Sequence, residues 1–434
     1  MIKVHAISGV STIGANMIAY EINSEIIICD MGINEIEASL GEKGEQSLIY
    51  PTIDSLKEVK DKVKAIVLTS ADPNHCGAVE KLAQEFDAPI YGTKYTIELL
   101  KQTQDVSKLD NKIMYLKQNN PFKLLDTDGL AVELVNTTYS VPQASMVAIH
   151  TKEDGIILHS GSFKFDNRPA IGMKPNFRKL QELGKQGVTL ATIDSMKSND
   201  IHKTMSEILV KEMIRDTFIE TDIVDTHGIV ITLSENHMTR LKSIIDLSLE
   251  SKREVLVLGS FKNYLNAAKN AGVVEFDTTN IIFEDDAKKV EELLGKVHAN
   301  KKKYVVICDG SQGEPGKLLY DIVNGNTPLT LDNKDKIVFS SSEIPHPVLS
   351  QYRKELMSKI TEIKCKAFTG MHVSGHATKA DIKDLLVMTK PKYIVPTQGS
   401  LRAKEGIIEV GEELHYEEGE TLFIVNDGKV KELK

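Results

Sequence analysis

Cysteine is scarce in this chain, and long hydrophobic runs are missing. The four cysteines, Cys29, Cys76, Cys308 and Cys365, lie far apart and form no C-x-x-C pair, which argues against a zinc knuckle or a disulfide framework and favours a reducing compartment. The longest apolar stretches, such as Ile26–Cys29, are far shorter than the roughly 20 residues of a membrane helix. The N-terminus lacks the basic and apolar segments of a secretory signal. We therefore expect a cytoplasmic protein with no membrane partner.

Low-complexity segments are also missing from the sequence, so the composition is that of a folded protein. Its 434 residues, 41% of them hydrophobic, are enough for two or three domains of ordinary size. The net charge of −9 opposes non-specific adhesion to nucleic acid. It does not exclude a nucleic-acid partner, because binding depends on a local basic groove.

Apolar patterns in the first 170 residues predict a β-rich segment with one β-α-β unit. The predicted strands are Val4–Ile7, Met17–Ile22, Glu25–Cys29, Lys64–Thr69, Pro89–Gly92, Leu130–Val135, Ser145–His150 and Gly155–His159. Apolar residues at helical spacing predict a helix over Gly77–Phe86, and the composition of Ala38–Ser47 indicates a polar loop.

Between about residue 200 and residue 364, predicted helices and strands alternate regularly. The strands are Gly228–Leu233, Glu254–Leu258, Tyr304–Cys308 and Lys336–Ser340, and the helices lie around Met205–Met213, Leu241–Leu249 and Ala287–Val297. This alternation predicts a parallel sheet flanked by helices. A helix at Ala380–Thr389, a strand at Tyr393–Pro396 and a hairpin turning at 426–428 follow. The simplest arrangement is an α/β domain inserted into a domain that the first and last segments build together.

Four polar loops directly follow apolar strands, the place where α/β proteins carry their functional groups. They are T-S-A-D-P-N-H-C-G-A at Thr69–Ala78, S-G-S-F-K-F-D at Ser160–Asp166, D-G-S-Q-G-E-P at Asp309–Pro315 and H-V-S-G-H-A at His372–Ala377. Taken in this order, they resemble ribonuclease J, a family in the β-CASP branch of the metallo-β-lactamase fold. The likeness covers nearly the whole chain. The sequence looks more like the archaeal members than the bacterial ones, since the chain is short and we expect no further domain after the predicted final hairpin.

The resemblance implies an α/β protein, an αββα metallo-β-lactamase sandwich with an inserted β-CASP domain whose parallel sheet is flanked by helices. We expect the discontinuous sandwich domain to cover residues 1–200 and 365–434, and the β-CASP domain to cover residues 201–364. Members of the family assemble as dimers and tetramers. The resemblance therefore also implies a homo-oligomer, or a hetero-oligomer with an active ribonuclease J paralogue.

The metal-binding motifs depart from the family pattern. Active members hold two metal ions with H-x-H-x-D-H after the first buried strand, a His on a later loop, an Asp and a final His. The matching positions in this chain carry Ser70, Asp72, Asn74, His75, Tyr139, Ser162 and Gln398. Of these ligand positions, His75 alone is unaltered.

These replacements bear directly on metal chemistry. A hydrolytic zinc site needs about three protein ligands per ion and an open position for the activated water. Serine, tyrosine and glutamine are poor neutral ligands for Zn²⁺, and Asn74 supplies only a weak carbonyl. We expect no cofactor, or at most one weak cation between Asp72 and His75, and Zn or Mn if the chain is active. Otherwise His75 packs or caps at the start of the next helix.

The substrate-holding segments keep the family's residue types. By the resemblance, the residues that contact RNA phosphates are Ser311, Gln312, Gly313, His372, Ser374, Gly375 and His376. Glycine-rich turns permit close backbone approach, and small polar groups donate to phosphate oxygens. His376 also matches a position where a histidine assists as a general acid. The alternative is that both histidines fix a turn and cap the next helix.

Three further positions carry weaker signals. Asp194 matches the acidic residue that opens the family's β-CASP domain, and without metals we expect it to form a turn or an N-cap. Lys164 and Lys301–Lys303 are candidates for a nucleic-acid groove, although Lys301–Lys303 fits a solvated approach to a strand better.

Three functions remain open at this point. The first is a catalytically inactive ribonuclease J paralogue that keeps the two-domain shell and binds RNA. The second is an active 5′-to-3′ exoribonuclease with an altered metal site on Asp72, Asn74 and His75. The third is a regulatory or assembly partner that binds no RNA and pairs with an active paralogue. The replaced ligands favour the first, with the third next.

Overall fold

The chain forms two compact units in the computed structural model, which describes residues 1–45, 48–222 and 227–433. The first unit contains residues 1–167, 172–204 and 374–434, and the second contains residues 168–171 and 205–373. The final return to the first unit, at 373/374, comes later than the expected 364/365. The reason is that the strand at Lys366–Phe368 pairs with the strand at Lys336–Phe339 in the sheet of the second unit.

The strands and helices of the described residues are numbered in chain order. The strands are β1 (Ile2–Ser8), β2 (Met17–Ile22), β3 (Glu25–Cys29), β4 (Val63–Val67), β5 (Ile90–Gly92), β6 (Ile113–Tyr115), β7 (Phe122–Lys123), β8 (Ala131–Asn136), β9 (Ser145–His150), β10 (Ile156–His159), β11 (Val188–Asp194), β12 (Ile229–Thr232), β13 (Glu254–Leu258), β14 (Ile281–Glu284), β15 (Tyr304–Cys308), β16 (Lys336–Phe339), β17 (Lys366–Phe368), β18 (Tyr393–Thr397) and β19 (Lys429–Leu433). The helices are α1 (Glu35–Ser39), α2 (Pro73–Cys76), α3 (Val79–Leu82), α4 (Lys94–Thr103), α5 (Phe177–Gln186), α6 (Glu207–Asp222), α7 (Met238–Glu250), α8 (Lys262–Ala271), α9 (Ala287–Ala299), α10 (Leu318–Asn324), α11 (Pro347–Ile363), α12 (Lys379–Thr389) and α13 (Leu401–Glu413). None of these helices is long and apolar enough to cross a membrane.

Two mixed sheets form the first unit, as far as its residues are described. One has the strand order β19-β1-β2-β3-β4-β5-β6, and the other has the order β18-β11-β10-β9-β8-β7. In the first sheet, strands β3 to β6 are parallel. In the second, β10, β11 and β18 are parallel. Within each sheet these parallel strands end at the same edge, so the loops that follow them are neighbours.

Alternating apolar side chains explain how the sheets of the first unit stack. Tyr20 of β2 and Leu190 of β11 belong to one buried cluster that contains residues of both sheets. The opposite face of the first sheet packs against α3 and α4 through residues such as Leu100. The opposite face of the second sheet packs against α5, α12 and α13 through residues such as Ile382. The layer order helix, sheet, sheet, helix is the αββα sandwich, and the predicted fold class is confirmed.

The sheet of the second unit is parallel, with the order β14-β13-β15-β12-β16-β17. Its central strands are buried on both faces, which is why β12 and β15 are almost continuously apolar. Helices α9, α10 and α11 pack on one face through Leu294, Ile322 and Leu356. The strands β12, β13 and β14 succeed one another toward one edge of the sheet, whereas those from β14 to β17 succeed one another toward the opposite edge. Because crossovers between parallel strands are right-handed, α7 and α8, which connect β12 to β14, lie on the other face. The predicted parallel sheet flanked by helices is confirmed.

Two predictions of local structure are wrong. The segment 77–86 is not one helix, because backbone hydrogen bonds with the loop after β3, including Ala78 N–H to Met31 O at 2.8 Å, interrupt the helical ladder. The turn at 426–428 does not join a hairpin. The strand after it, β19, pairs with β1 in the first sheet, whereas Phe423 before it donates to Ile394 of β18 in the second.

The predicted polar loop at 38–47 begins inside α1, and a 3₁₀ turn covers Gly41–Lys43. Residues 46 and 47 lie outside the described part of the chain.

Two helical glycines give opposite stability predictions. A Cβ at Gly184 in α5 would overlap the carbonyl oxygen of Met388 and lie 3.0 Å from Cα of Thr389, both in α12. We expect Gly184→Ala to lower the free energy of unfolding by about 1–3 kcal/mol, because α12 has to move. At Gly295 in α9, Pro328 at 3.9 Å is the one contact that a Cβ would make within 4 Å among the described residues beyond the helix's own backbone and the adjacent residues. Gly295→Ala should therefore raise that free energy by about 0.5–1 kcal/mol through helix propensity. Urea unfolding measures both, and equal midpoints for the two variants would contradict the close packing of α5 on α12.

Candidate metal centre and phosphate-binding loops

The positions that match the family's metal ligands lie on loops of the first unit that follow its strands. Ser70, Asp72, Asn74 and His75 follow β4, Tyr139 follows β8, Ser162 follows β10 and Gln398 follows β18. These loops meet because the parallel strands of each sheet end at a common edge. The side chains are nearly all buried, and most are hydrogen-bonded to one another.

His75 is paired with an aspartate that the sequence reading did not single out. Its Nδ1 lies 2.6 Å from Oδ2 of Asp30, the residue after β3, and both side chains are buried. Asp30 also accepts the backbone N–H of Thr69 at 2.7 Å and the Thr69 hydroxyl at 2.9 Å. Burial alone would raise the pKa of Asp30, but His75 and His159 outweigh it and hold that pKa well below its usual range. Burial likewise opposes the charged form of His75, yet Asp30 raises its pKa.

The other nitrogen of His75 begins a chain of side-chain hydrogen bonds. Its Nε2 lies 2.7 Å from the hydroxyl oxygen of Ser162, and that hydroxyl donates to Oε1 of Gln398 at 3.0 Å. A hydroxyl has one hydrogen to donate, and Ser162 donates it to Gln398. The Ser162 oxygen must then accept a hydrogen from Nε2 of His75, while Nδ1 of His75 donates to Asp30. Both ring nitrogens carry a hydrogen only when His75 is an imidazolium. This agrees with the raised pKa of His75. Ser162 is therefore a direct partner of His75, and Gln398 is connected to His75 through Ser162.

Tyr139 and Asp72 form a second connection. The tyrosine hydroxyl donates to Oδ2 of Asp72 at 3.2 Å, and Asn74 Nδ2 donates to Oδ1 of Asp72 at 3.0 Å and to Glu35 Oε2 at 3.2 Å. Asp72 also caps the N-terminus of α2 by accepting the backbone N–H of Asn74. Burial, with Asp72 adding to it, raises the pKa of Tyr139 well above its usual value. The buried Ser70 accepts the backbone N–H of Asp72 at 3.5 Å.

This donor set does not fit a two-zinc hydrolytic centre. Within residues 1–45, 48–222 and 227–433, no group of three or more His, Cys, Asp or Glu side chains is placed to hold one ion. The neutral side chains of Ser162, Tyr139 and Gln398 are poor zinc ligands, and such a centre needs about three good ligands per ion. The single weak cation expected between Asp72 and His75 stays a prediction.

His376 and Asp194 form a second pair of imidazole and carboxylate, in which the carboxylate is buried and the imidazole is partly exposed. His376 Nδ1 lies 2.6 Å from Oδ2 of Asp194, whose side chain is fully buried while that of His376 is 19% exposed. Asp194 Oδ1 accepts the backbone N–H of Met196 at 2.9 Å, which is the predicted turn. The hydroxyl of Ser374 accepts the backbone N–H of His376 at 3.0 Å. The sequence assigned both residues to motifs without indicating that they are partners.

In the second unit, the loop that follows β15 uses its own polar groups. Nε2 of Gln312 donates to the carbonyl of Ser342 at 2.9 Å, and Oε1 accepts the backbone N–H of Ile344 at 3.1 Å. The same Nε2 lies 3.2 Å from Oγ of Ser311, and both side chains are buried. In this structure Gln312 joins its loop to the segment after β16. The phosphate contacts expected of Ser311, Gln312 and Gly313 stay a prediction.

Carboxylates outnumber cations around this loop. Lys317 Nζ lies 2.5 Å from Glu235 Oε1 and 3.5 Å from Asp309 Oδ2. Burial favours neutral Lys317, but Glu235 and Asp309 outweigh it and raise its pKa. Burial also raises the pKa of Glu314, with Glu235 adding to the effect. The local potential is therefore less favourable to phosphate than glycine-rich turns alone indicate.

A buried arginine that the sequence did not flag supports the segment with His372. Arg240 forms a bidentate pair with Glu207, with N–O distances of 2.7 and 3.1 Å. Its Nη1 donates to the carbonyls of Ser340 at 3.1 Å and Met371 at 3.3 Å, and lies 3.4 Å from Nδ1 of His372. No sequence pattern predicts that a single arginine within an amphipathic helix holds a neighbouring segment by hydrogen bonds.

The lysines considered for a nucleic-acid groove are engaged within the protein. Lys164 is 1% exposed and lies 3.9 Å from Asp166. Lys301 pairs with Asp335 at 2.5 Å and Asp332 at 3.1 Å, and it lies in the 3₁₀ turn that leads into β15.

Family comparisons agree with this architecture. A model described as "Ribonuclease J, beta-CASP domain" matches residues 226–350, and one described as "Zn-dependent metallo-hydrolase RNA specificity domain" matches residues 360–420. Together with the αββα sandwich, these matches define a β-CASP protein of the metallo-β-lactamase fold. A crystal structure of a protein of unknown function from Enterococcus faecalis V583 covers 99% of both chains with a TM-score of 0.66 at 15% identity, which supports the fold alone.

Relatives of full length make the assignment specific. Ribonuclease J of Methanocaldococcus jannaschii is 32% identical over 99% of this chain and 98% of its own length, and ribonuclease J of Pyrococcus abyssi is 33% identical over 100% and 97%. The chain belongs to the ribonuclease J family. Ribonuclease J2 of Bacillus subtilis is 27% identical over 100% of this chain and 75% of its own length. The predicted likeness to archaeal members is confirmed.

The Asp30–His75 pair gives a stability prediction. We expect Asp30→Asn to lower the free energy of unfolding by about 3–5 kcal/mol at neutral pH, because it leaves the buried His75 without its counter-charge. Asp105→Asn is the control, since the Asp105–Lys108 pair is exposed, and its effect should stay within about 0.5 kcal/mol. Urea unfolding of the three proteins measures this.

The pH dependence follows from the same pair. The pKa of Asp30 is lowered in the folded state, so its contribution is present above its unfolded pKa of about 4 and is lost as the pH falls through the folded value. The difference between wild type and Asp30→Asn should therefore shrink in strong acid. A difference that grows on acidification would contradict the ion pair.

Proposed function

We propose that this chain is a catalytically inactive member of the ribonuclease J family that binds RNA. The main support is that side chains at the ligand positions are hydrogen-bonded to one another. His75 is bonded to Ser162, Ser162 is bonded to Gln398, and Tyr139 is bonded to Asp72. A water needs a bound divalent cation to reach a pKa near neutrality. Without two well-held ions, the nucleophile for phosphodiester hydrolysis is missing.

RNA binding requires less than hydrolysis does. The segment Ser374–His376 keeps a small hydroxyl, a glycine and a partly exposed imidazole in the family order. Such groups hold phosphate oxygens by hydrogen bonds and need no metal. We therefore expect RNA to be bound and released without cleavage.

A second candidate is a regulatory or assembly partner that binds no RNA and forms an oligomer with an active ribonuclease J paralogue. The observation in its favour is that the polar groups of the loop after β15 are bonded within the protein and lie among carboxylates. The amide of Gln312 is engaged within the protein, and Glu235, Asp309 and Glu314 surround Lys317. These carboxylates weaken the case for a phosphate at that loop.

One set of measurements on the purified chain separates these functions. The protein is stripped with EDTA, dialysed against Zn²⁺ or Mn²⁺ and assayed for metal content, for decay of 5′-monophosphorylated RNA and for RNA binding by fluorescence anisotropy. We expect no stoichiometric metal, no decay, and binding that weakens with salt. Ser374→Ala should weaken binding by about three- to tenfold, within the range for the net loss of one ordinary hydrogen bond, whereas Ser107→Ala, at an exposed serine, should not.

Other outcomes point to the alternatives. Decay that requires a metal and is abolished by Asp72→Ala or His75→Ala would establish an active exoribonuclease with an altered site. Decay that survives both substitutions indicates a contaminating nuclease. Absence of RNA binding, with co-purification of an active paralogue whose rate changes on mixing, would favour the assembly partner.

A further inference from the structure

Tyr139, which stands at a histidine position of the family, contacts the segment Ser374–His376 within the same unit. Its ring meets the imidazole of His376 edge to face, with centroids 5.4 Å apart and an interplanar angle of 70°. A Cβ at Gly375 would lie 3.0 Å from Cε2 of Tyr139 and would collide with the hydroxyl of Ser140. The phenol therefore packs directly on the glycine and the histidine of this segment.

The tyrosine is itself fixed in place. Its hydroxyl donates to Asp72 at 3.2 Å, and its ring lies edge to face with His75 at a centroid distance of 6.4 Å. Asp72 and His75 both belong to the short helix α2 or its cap. The position of the ring is therefore defined by its contacts with Asp72 and His75.

His376 is held on two sides and available on a third. Asp194 accepts from Nδ1 at 2.6 Å, and Tyr139 covers one side of the imidazole. Among the described residues, Nε2 of His376 has no hydrogen-bond partner, and the side chain is 19% exposed. With Nδ1 donating to a carboxylate, the direction of Nε2 is set by the ring orientation, which Tyr139 restricts.

We infer that Tyr139 is a positioning residue that orients His376 and Gly375 for contact with an RNA phosphate. This inference rests on the proposed RNA binding by Ser374–His376. A former metal-ligand position would thereby support ligand binding through packing in place of coordination. The physical gain is preorganisation, because a side chain that is already ordered loses less entropy when the ligand binds.

The test compares Tyr139→Phe with Tyr139→Ala, using a 5′-monophosphorylated oligonucleotide and fluorescence anisotropy. Tyr139→Phe keeps the ring and should bind within about twofold of wild type, whereas Tyr139→Ala should bind about three- to tenfold more weakly, the range expected for loss of one aromatic pair. In a His376→Ala background, Tyr139→Ala should cause little further loss, since the two residues act through one another.

A matched control removes a ring of similar burial elsewhere in the unit. Tyr393 is 8% exposed, against 9% for Tyr139, and it packs on Phe423 with ring centroids 5.9 Å apart. Tyr393→Ala should lower the thermal midpoint as Tyr139→Ala does and leave RNA affinity unchanged. A separate measurement, made without RNA, is the NMR signal of the His376 imidazole. This signal should shift or broaden in Tyr139→Ala and should match that of the wild type in Tyr139→Phe.

The results distinguish this inference from the proposed function. Wild-type affinity together with an unchanged His376 signal in Tyr139→Ala would overturn the positioning role. An equal loss of affinity in Tyr393→Ala would also overturn it, because general destabilisation would then explain the effect. If the wild-type protein binds no RNA but the His376 signal still responds to Tyr139→Ala, RNA binding fails while the orientation of His376 by Tyr139 is upheld.

Discussion

The buried pair of Asp30 and His75 is the interaction on which the centre of the first unit depends. Asp30 accepts the backbone and hydroxyl of Thr69, and His75 continues to Ser162 and from there to Gln398. These residues follow four different strands, so one polar chain joins four loops. A buried charge left without its partner costs several kcal/mol, so removing one member of this hydrogen-bonded series destabilises the centre. The same requirement fixes α2 and, through Asp72, the ring of Tyr139.

The second unit stabilises its loops in a related way. Arg353 is 4% exposed, its guanidinium lies 3.5 Å from the centroid of the Phe339 ring, and it donates to the carbonyl of Ser311. Arg240, fully buried, donates to the carbonyls of Ser340 and Met371. In both units, buried charged side chains form hydrogen bonds with groups of the loops.

Local pattern predicted the regular elements well where packing follows chain periodicity. Met17–Ile22, Glu25–Cys29 and Ser145–His150 are strands with the predicted bounds. Prediction failed where backbone groups pair with distant segments: the bond from Ala78 to Met31 breaks the expected helix, and β19 leaves its expected hairpin to pair with β1. Single buried polar residues such as Asp30 and Arg240 were missed for the same reason, since neither periodicity nor spacing distinguishes them from surface residues.

The sequence by itself indicated the ribonuclease J family through the order of motifs along the chain, and it indicated the parallel-sheet unit through apolar periodicity. The αββα sandwich was implied by the resemblance to that family. Only the tertiary structure decided which side chains of these motifs are partners. Ser162 and Gln398 are 236 residues apart, and Tyr139 and His376 are also far apart in the chain. Whether such side chains are partners depends on distances of a few ångströms between separate strands and loops, which no local pattern encodes.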